Sequence, residues 1–192
     1  MLIVGGGNTG YQVAQELSAT HGVHLSVGSR QTPLPQRVLG RDLFRVLTAV
    51  GAMRKTVDSR IGRRMEDRDV LIGSSPRGAR RHGVRLHGRT TGGGRDGVRF
   101  ADGASLAPRT VIWATGFTRD HGWIDVPVFG DGGAPIHDRG VTPARGLYFL
   151  GLPWQHTRGS ALLGWVKEDA EHIAERIAAA AAPAAPERAV AA

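Results

Sequence analysis

At 192 residues the chain is long enough to bury a sizeable core, and 41% hydrophobic with 22% charged residues is the balance of an ordinary globular protein. It contains no cysteine, which excludes disulfide scaffolds, thiolate metal sites and dithiol redox chemistry together. No segment approaches about eighteen uninterrupted apolar residues and no signal peptide opens the chain, so a soluble cytoplasmic protein with no membrane partner is expected. The formal net charge of +8, from 25 basic residues against 17 acidic ones, favours anionic ligands and phosphates in particular.

The chain opens on MLIVG, an apolar run closed by glycines, which predicts a strand buried on both faces of a parallel sheet. From Asn8 to His21 the spacing predicts a helix, with Val13, Ala14 and Leu17 on one side and Gln12, Gln15 and Glu16 on the other. GVHLSVGSR follows as a second strand. Prolines break the pattern between Thr32 and Pro35, after which GRDLFRVLTAVGA reads as a helix carrying Leu43, Val46, Leu47 and Val50. The basic stretch from Arg54 to Arg68 has few apolar anchors and reads as an exposed helix or loop. DVLIG and GVRLHG are short strands around the polar segment SSPRGARRH, and GVRFADGASL predicts a hairpin turning on Asp102 and Gly103. TVIWATGF and GLYFLGLPW are further buried strands, and a long helix is predicted from Ser160 to Ile177 with Leu162, Val166, Ile173 and Ile177 on its stripe. The Ala/Pro tail is low in complexity and reads as disordered.

The glycines at 5, 7 and 10 fit the G-x-G-x-x-G pattern, in the strand–turn–helix–strand context that a dinucleotide fold requires. Gly5 would permit the tight turn, Gly7 the close approach of a pyrophosphate, and Gly10 the close packing of helix on strand. Asn8 and Thr9 open the helix whose N–H groups and dipole would receive the phosphates. The end of the second strand selects the nucleotide. A carboxylate there would hold a ribose 2′-hydroxyl, but the sequence has Ser29 and Arg30, a hydroxyl beside a guanidinium, which suits a 2′-phosphate. NADPH is therefore the expected cofactor, with Arg37 as an assistant.

Four landmarks, GGGNTG, VGSR followed by LPQRVLGRDL, WATGF, and GVTPARGLYFLGLPWQHTRGSALLG, together resemble the second half of flavin-containing monooxygenase-like NAD(P)/FAD-dependent oxidoreductases, bacterial flavoproteins often described as associated with potassium transport. The resemblance covers nearly everything except the tail. In that family an NADPH fold is nested inside an FAD fold, so it implies an α/β architecture: a Rossmann-like NADPH-binding domain with a parallel sheet over 1–116, the C-terminal strand and helix of an incomplete FAD-binding domain over 117–178, and a disordered tail over 179–192. Ala114, Thr115 and Gly116 would fall on the strand returning to the FAD fold. Gly151 and the helix start at Ser160 would fall beside the flavin. The FAD glycine motif of the family is not in the sequence, so FAD is expected only where an N-terminal half is supplied, by another polypeptide or a longer chain. The function implied is passage of hydride from NADPH to FAD, or, alternatively, NADPH binding by a module that is catalytically silent without a separate FAD-binding half or a second copy. Catalytic residues are not specified.

The remaining candidates are weaker. His21, His24, His82, His87, His121, His137, His156 and His172 lack metal-ligand spacing, so no metal is expected. His156 and Arg158 lie in the turn before the last helix, as flavin neighbours or as turn-packing residues. Trp113, Trp123, Trp154 and Trp165 read as core or domain-boundary residues. The arginines between 54 and 89 could follow phosphates, but no aromatic residue interleaves with them, and nucleic acid is not an expected partner.

Overall fold

A computed structural model describes residues 1–29, 31–60, 62–63 and 70–181. The described residues form two compact units: one drawn from 1–49 and 70–119, the other from 50–63 and 120–181.

The first unit is built on a four-stranded parallel sheet. β1 (Leu2–Val4) leads through a glycine turn into α1 (Asn8–Leu17), and β2 (His24–Ser26) returns beside β1. The apolar run at 2–4 explains the burial: Leu2, Ile3 and Leu25 are fully enclosed, as strands covered on both faces require. α1 turns Tyr11 and Ala14 inward, and these pack with Ile3, Val23, Leu25 and Leu71 in one core cluster. α1 ends at Leu17, three turn residues short of the His21 neighbourhood, with Ser18 as its C-cap.

A long excursion separates β2 from its next neighbour. It carries β3 (Thr32–Leu34), the two short strands β4 (Arg37–Val38) and β5 (Arg41–Asp42), then α2 (Leu43–Ala49), whose Phe44 N–H is accepted by the Asp42 carboxylate at 2.9 Å. β6 (Val70–Ile72) pairs with β3 in parallel. The segment 74–82, expected as a polar stretch between strands, contains a helix, α3 (Pro76–Arg81). Its cause is local: the Ser75 hydroxyl accepts from the Gly78 N–H at 3.0 Å, and Pro76 occupies the first turn, where its missing N–H costs nothing.

β7 (Arg85–His87) pairs with the free side of β2. β8 (Thr90–Gly94), β9 (Gly97–Phe100) and β10 (Ser105–Leu106) form an antiparallel sheet, with the turn at Asp102 and Gly103 as the sequence predicts. β11 (Val111–Trp113) then crosses to the far side of β1, giving the order β11-β1-β2-β7. Ala114, Thr115 and Gly116 therefore continue a strand of the sheet that holds the glycine motif, Leu2 pairing with Val111 and Val4 with Trp113.

The second unit is poor in regular structure. Its long helix, α4, runs over Lys167–Ala181, so it starts seven residues later than the sequence suggests and takes in the first three residues of the expected tail. Residues 160–166 instead form turns, with Leu162 N–H bonded to Gly159 O and Trp165 N–H to Leu162 O. The later start has a reason: Glu168 and Asp169 then occupy the first turn, where the helix dipole favours negative charge. Asp169, expected off the buried stripe, is only 2% exposed and is bound by Arg139 at 2.8 Å. GLYFLGLPW forms no strand. Gly146 and Gly151, both at positive φ, turn the chain on either side, leaving one bridge between Tyr148 and Val141. In the described part of the basic stretch, Thr56 makes an isolated bridge to Thr157 and Val57 N–H bonds His156 O, while residues 60, 62 and 63 are helical, in keeping with the expected helix or loop. The remaining part of that stretch, residues 61 and 64–69, and residues 182–192 of the tail lie outside the described residues.

Candidate functional site

The order of the sheet creates the site. From β1 the chain proceeds to β2 on one side and returns as β11 on the other, so the loops after β1 and β11 diverge. In open parallel sheets such a switch point leaves a crevice beyond the carboxyl ends of the strands. Here it is a cleft of about 400 Å³ that brings together Gly5, Gly7, Thr9, Ser29, Ala114, Thr115 and Gly116 from the sequence-predicted set. Gly6, Gln31, Trp113 and Phe117 complete its lining.

The three motif glycines differ in what surrounds them. Gly5 has φ +127°, and a Cβ on it would run into the Ala114 carbonyl, so the turn admits no side chain. Gly10 is buried, and a Cβ there would overlap the Gly5 carbonyl oxygen, so α1 can lie against β1 only because position 10 is glycine. Gly7 is different: its backbone is extended, and a Cβ would meet nothing within 4 Å. The protein's own packing does not require glycine at 7.

Gly7 is also the N-cap of α1. The helix has no side-chain cap and no acidic residue in its first turn, so the positive end of its dipole opens on the cleft at Gly7 and Thr9. Asn8 supplies no cap because its side chain is engaged elsewhere. Its amide donates to Val70 O at 2.9 Å and accepts from Ile72 N–H at 2.7 Å, tying α1 to β6. It is a structural residue beside the cleft. Among the described residues that line the cleft there is no acidic, basic or cationic side chain, and the open N-terminus of α1 at Gly7 suits an anion.

A second cleft of about 310 Å³ shares Ser29 and Gln31 with the first and is otherwise lined by Tyr11, Val27, Pro33, Leu71 and Pro76. It is narrow and largely apolar. Burial pushes the Tyr11 phenol above its ordinary pKa, with Arg80 opposing the shift, so Tyr11 is a neutral wall.

The other expected residues lie elsewhere. Arg37 is exposed in β4 and lines neither cleft; Arg30 lies outside the described residues. In the second unit Gly151 faces open space at φ +86°. Ser160 is fully buried, and its hydroxyl accepts from the His156 and Thr157 N–H groups at 3.1 and 2.9 Å. It therefore closes a turn and starts no helix. Arg158 lies 5.6 Å from the Trp154 ring centre, so both residues pack within that turn. Two tryptophans expected in the core or at a boundary are exposed, Trp113 at 70% and Trp123 at 80%; Trp113 ends an edge strand, where one side has no neighbour.

Sequence reasoning missed two features. His24 Nδ1 lies 2.8 Å from His87 Nε2 across β2 and β7, and His87 stacks on Phe100. Burial, followed by the nearby His87 and Arg85, holds His24 below the ordinary histidine range. The second is Arg89, whose guanidinium reaches the loop after β2; only the topology could reveal it. Among the described residues no group of three metal-ligating side chains comes together.

No family model matches the chain. It is 40% identical over 176 residues to an uncharacterized oxidoreductase, CzcO-like, of Geobacillus kaustophilus, and 36% identical over 180 residues to the oxidoreductase CzcO of Bacillus subtilis. The alignments take in 90% and 92% of this chain but 51% and 52% of those relatives. A flavin-containing monooxygenase from Stenotrophomonas maltophilia superposes with a TM-score of 0.62 at 23% identity, over 94% of this chain and 50% of that one. The chain is similar in sequence to about half of these oxidoreductases and in fold to about half of the monooxygenase. A double mutant of the same monooxygenase matches equally well, with a TM-score of 0.62. The chain thus spans about half the length of the curated relatives it matches, and it shares the mixed α/β fold with its parallel sheet. No helix among the described residues is long and apolar enough to cross a membrane.

Proposed function

We propose that the first unit is a Rossmann-type fold that binds NADPH, and that the chain is the NADPH-binding portion of a flavin-dependent oxidoreductase of the monooxygenase type. The observation that carries this reading is Gly7, a glycine that packing leaves unexplained, at the uncapped N-terminus of α1 and in the cleft at the switch point. A pyrophosphate over Gly5–Gly7 explains it, since a side chain at 7 would occupy the phosphate's place. The adenosine half would extend past Ser29 into the second cleft, whose apolar walls suit a purine. Among the described residues no carboxylate lines either cleft, which favours a 2′-phosphate over a free 2′-hydroxyl.

Bound NADPH supplies a hydride, and the chemistry of the reduction belongs to the cofactors. The chain's own part would be to hold the nucleotide: the glycine turn would receive the pyrophosphate and Ser29 the ribose, with Trp113 and Phe117 lining the same cleft. Ser160 does not offer FAD the helix start that the resemblance implies, because it is enclosed in its own turn and the helix begins at Lys167. The flavin that accepts the hydride would therefore be held by a further polypeptide segment. Its absence would leave an NADPH-binding module without turnover.

Titration calorimetry with NADPH and NADH tests the binding, together with an absorbance spectrum of the purified chain. Saturable binding with NADPH preferred by about tenfold or more is expected, without retained flavin. Stoichiometric flavin carried through gel filtration would assign the glycine cleft to FAD and overturn the reading.

A further inference from the structure

The charge that selects a 2′-phosphate at the end of β2 need not come from the loop that follows β2. β7 pairs with β2 so that Ser26 lies opposite His87, and the two strand ends are joined residue by residue. Val27 N–H donates to His87 O at 3.0 Å, and the Ser26 hydroxyl donates to Gly88 O at 2.9 Å. Arg89 is the next residue. Its Nη2 donates to Gly28 O at 2.9 Å, and the guanidinium lies so close along Gly28 that a Cβ there would come within 3.3 Å of Cζ. Gly28 directly precedes Ser29, the residue shared by both clefts.

Arg89 forms no ion pair among the described residues. The nearby carboxylate of Asp102 is taken by the Gly88 and Ala104 N–H groups at 2.9 and 3.0 Å, contacts that hold its pKa below the ordinary carboxylate value. A guanidinium offers five donors in a rigid fork, and one neutral carbonyl occupies only one of them. The result is a cation held by backbone geometry, without a counter-anion, at the edge where the nucleotide is chosen.

We propose that Arg89 is a specificity-determining residue that binds the 2′-phosphate of NADPH from the neighbouring strand. This rests on the NADPH reading of the first unit. The fork of Arg89 remains in place in the free protein because Gly28 O fixes it, so little freedom is lost when phosphate oxygens arrive.

Calorimetric titration of the full chain and of Arg89→Gln and Arg89→Lys with NADPH and with NADH tests it. Glutamine keeps an N–H for Gly28 O and removes the charge; lysine keeps the charge and loses the fork. Arg89→Gln should raise the Kd for NADPH by about tenfold or more and leave that for NADH within about twofold, with Arg89→Lys in between. Equal losses for both nucleotides would mean that Arg89 only supports the Gly28 turn, and an unchanged Kd for NADPH would remove it from the site. Equal affinity of the unaltered protein for NADPH and NADH would overturn the Arg89 inference while leaving dinucleotide binding intact. Binding of neither nucleotide would overturn both.

Discussion

Gly7 and Gly10 stand three residues apart in one motif, yet the structure gives them opposite roles, and an alanine at each separates the two. At Gly10 the new Cβ would lie well inside 3.0 Å of the Gly5 carbonyl oxygen, with Gly5 C at 3.0 Å and Leu25 Cδ1 at 3.5 Å behind it. Gly5 cannot yield easily, because its N–H is bonded to Ser26 O at 3.0 Å inside the sheet. α1 must therefore lift, and with it Tyr11 and Ala14 leave the core they fill. Overpacking of this kind costs about 1–3 kcal/mol or more, while alanine in a helix recovers at most about 1 kcal/mol over glycine; Gly10→Ala should be destabilised on balance. At Gly7 the backbone is extended, φ −75° and ψ 178°, and the Cβ finds open space. The gain of about 0.4–1 kcal/mol from a stiffer unfolded chain is offset by alanine's poor capping, so stability should hardly move. Nucleotide affinity should, since the methyl group would stand where the proposed pyrophosphate lies, and a loss of about tenfold or more corresponds to at least 1.4 kcal/mol. Urea denaturation read at constant m, beside NADPH titration of each variant, checks both halves. Equal destabilisation by the two variants, or a Gly7→Ala protein that binds NADPH as tightly as before, would refute the division of roles.

In the second unit Arg139→Met should destabilise by about 3–5 kcal/mol in chemical denaturation, because it leaves Asp169, 2% exposed, without its 2.8 Å partner; a change below about 1 kcal/mol would show the pair to be solvated. The burial of His24, with His87 beside it, makes stability depend on pH with a definite sign. His24 is held below its unfolded pKa, so the unfolded chain takes up protons first as pH falls. Stability should be level above the ordinary histidine pKa and decline as pH falls through it toward the lowered folded value, and His24→Gln should flatten that decline. Stability that rises over the same interval in denaturation curves would contradict the assignment.

The first unit was legible because each of its elements announces itself over a short window. MLIVG is an apolar run that a doubly covered strand buries, TVIWATGF forms the expected strand but only half-buried, at the sheet edge, and the hairpin at Asp102–Gly103 carries its own turn chemistry. Even the helix at 76–81 was announced, by Ser75 as N-cap and Pro76 in the first turn, but arginines at 77, 80 and 81 hide its apolar side, which amounts to little more than Ala79. The second unit offers no such windows. Glycines at 140, 146 and 151 take positive φ values that ordinary side chains avoid, so an apolar run such as LYFL is bent before a ladder can form. The start of α4 was misplaced for a similar reason: the apolar stripe extends back through Leu162 and Val166, whereas acids at 168 and 169 mark where the dipole begins.

The candidate site divides along the same line. Residues next to the glycine motif, among them Gly5, Gly7, Thr9 and Ser29, were visible because the motif places them by chain distance alone. Asn8 shows the limit of that inference. A polar residue in the first helical turn is an apparent ligand donor until the fold supplies Val70 and Ile72 as partners 62 and 64 residues away. Arg89 is the converse case, a residue 61 positions from Gly28 that becomes its neighbour only because β7 adds to β2. Both contacts follow from strand order, which no local pattern encodes. The motif can state that phosphate binds after β1; which cation stands beside β2 depends on which strand the chain brings next to it. The proposed nucleotide preference would therefore rest on the sheet topology, which brings Arg89 to Gly28, as much as on the sequence after β2.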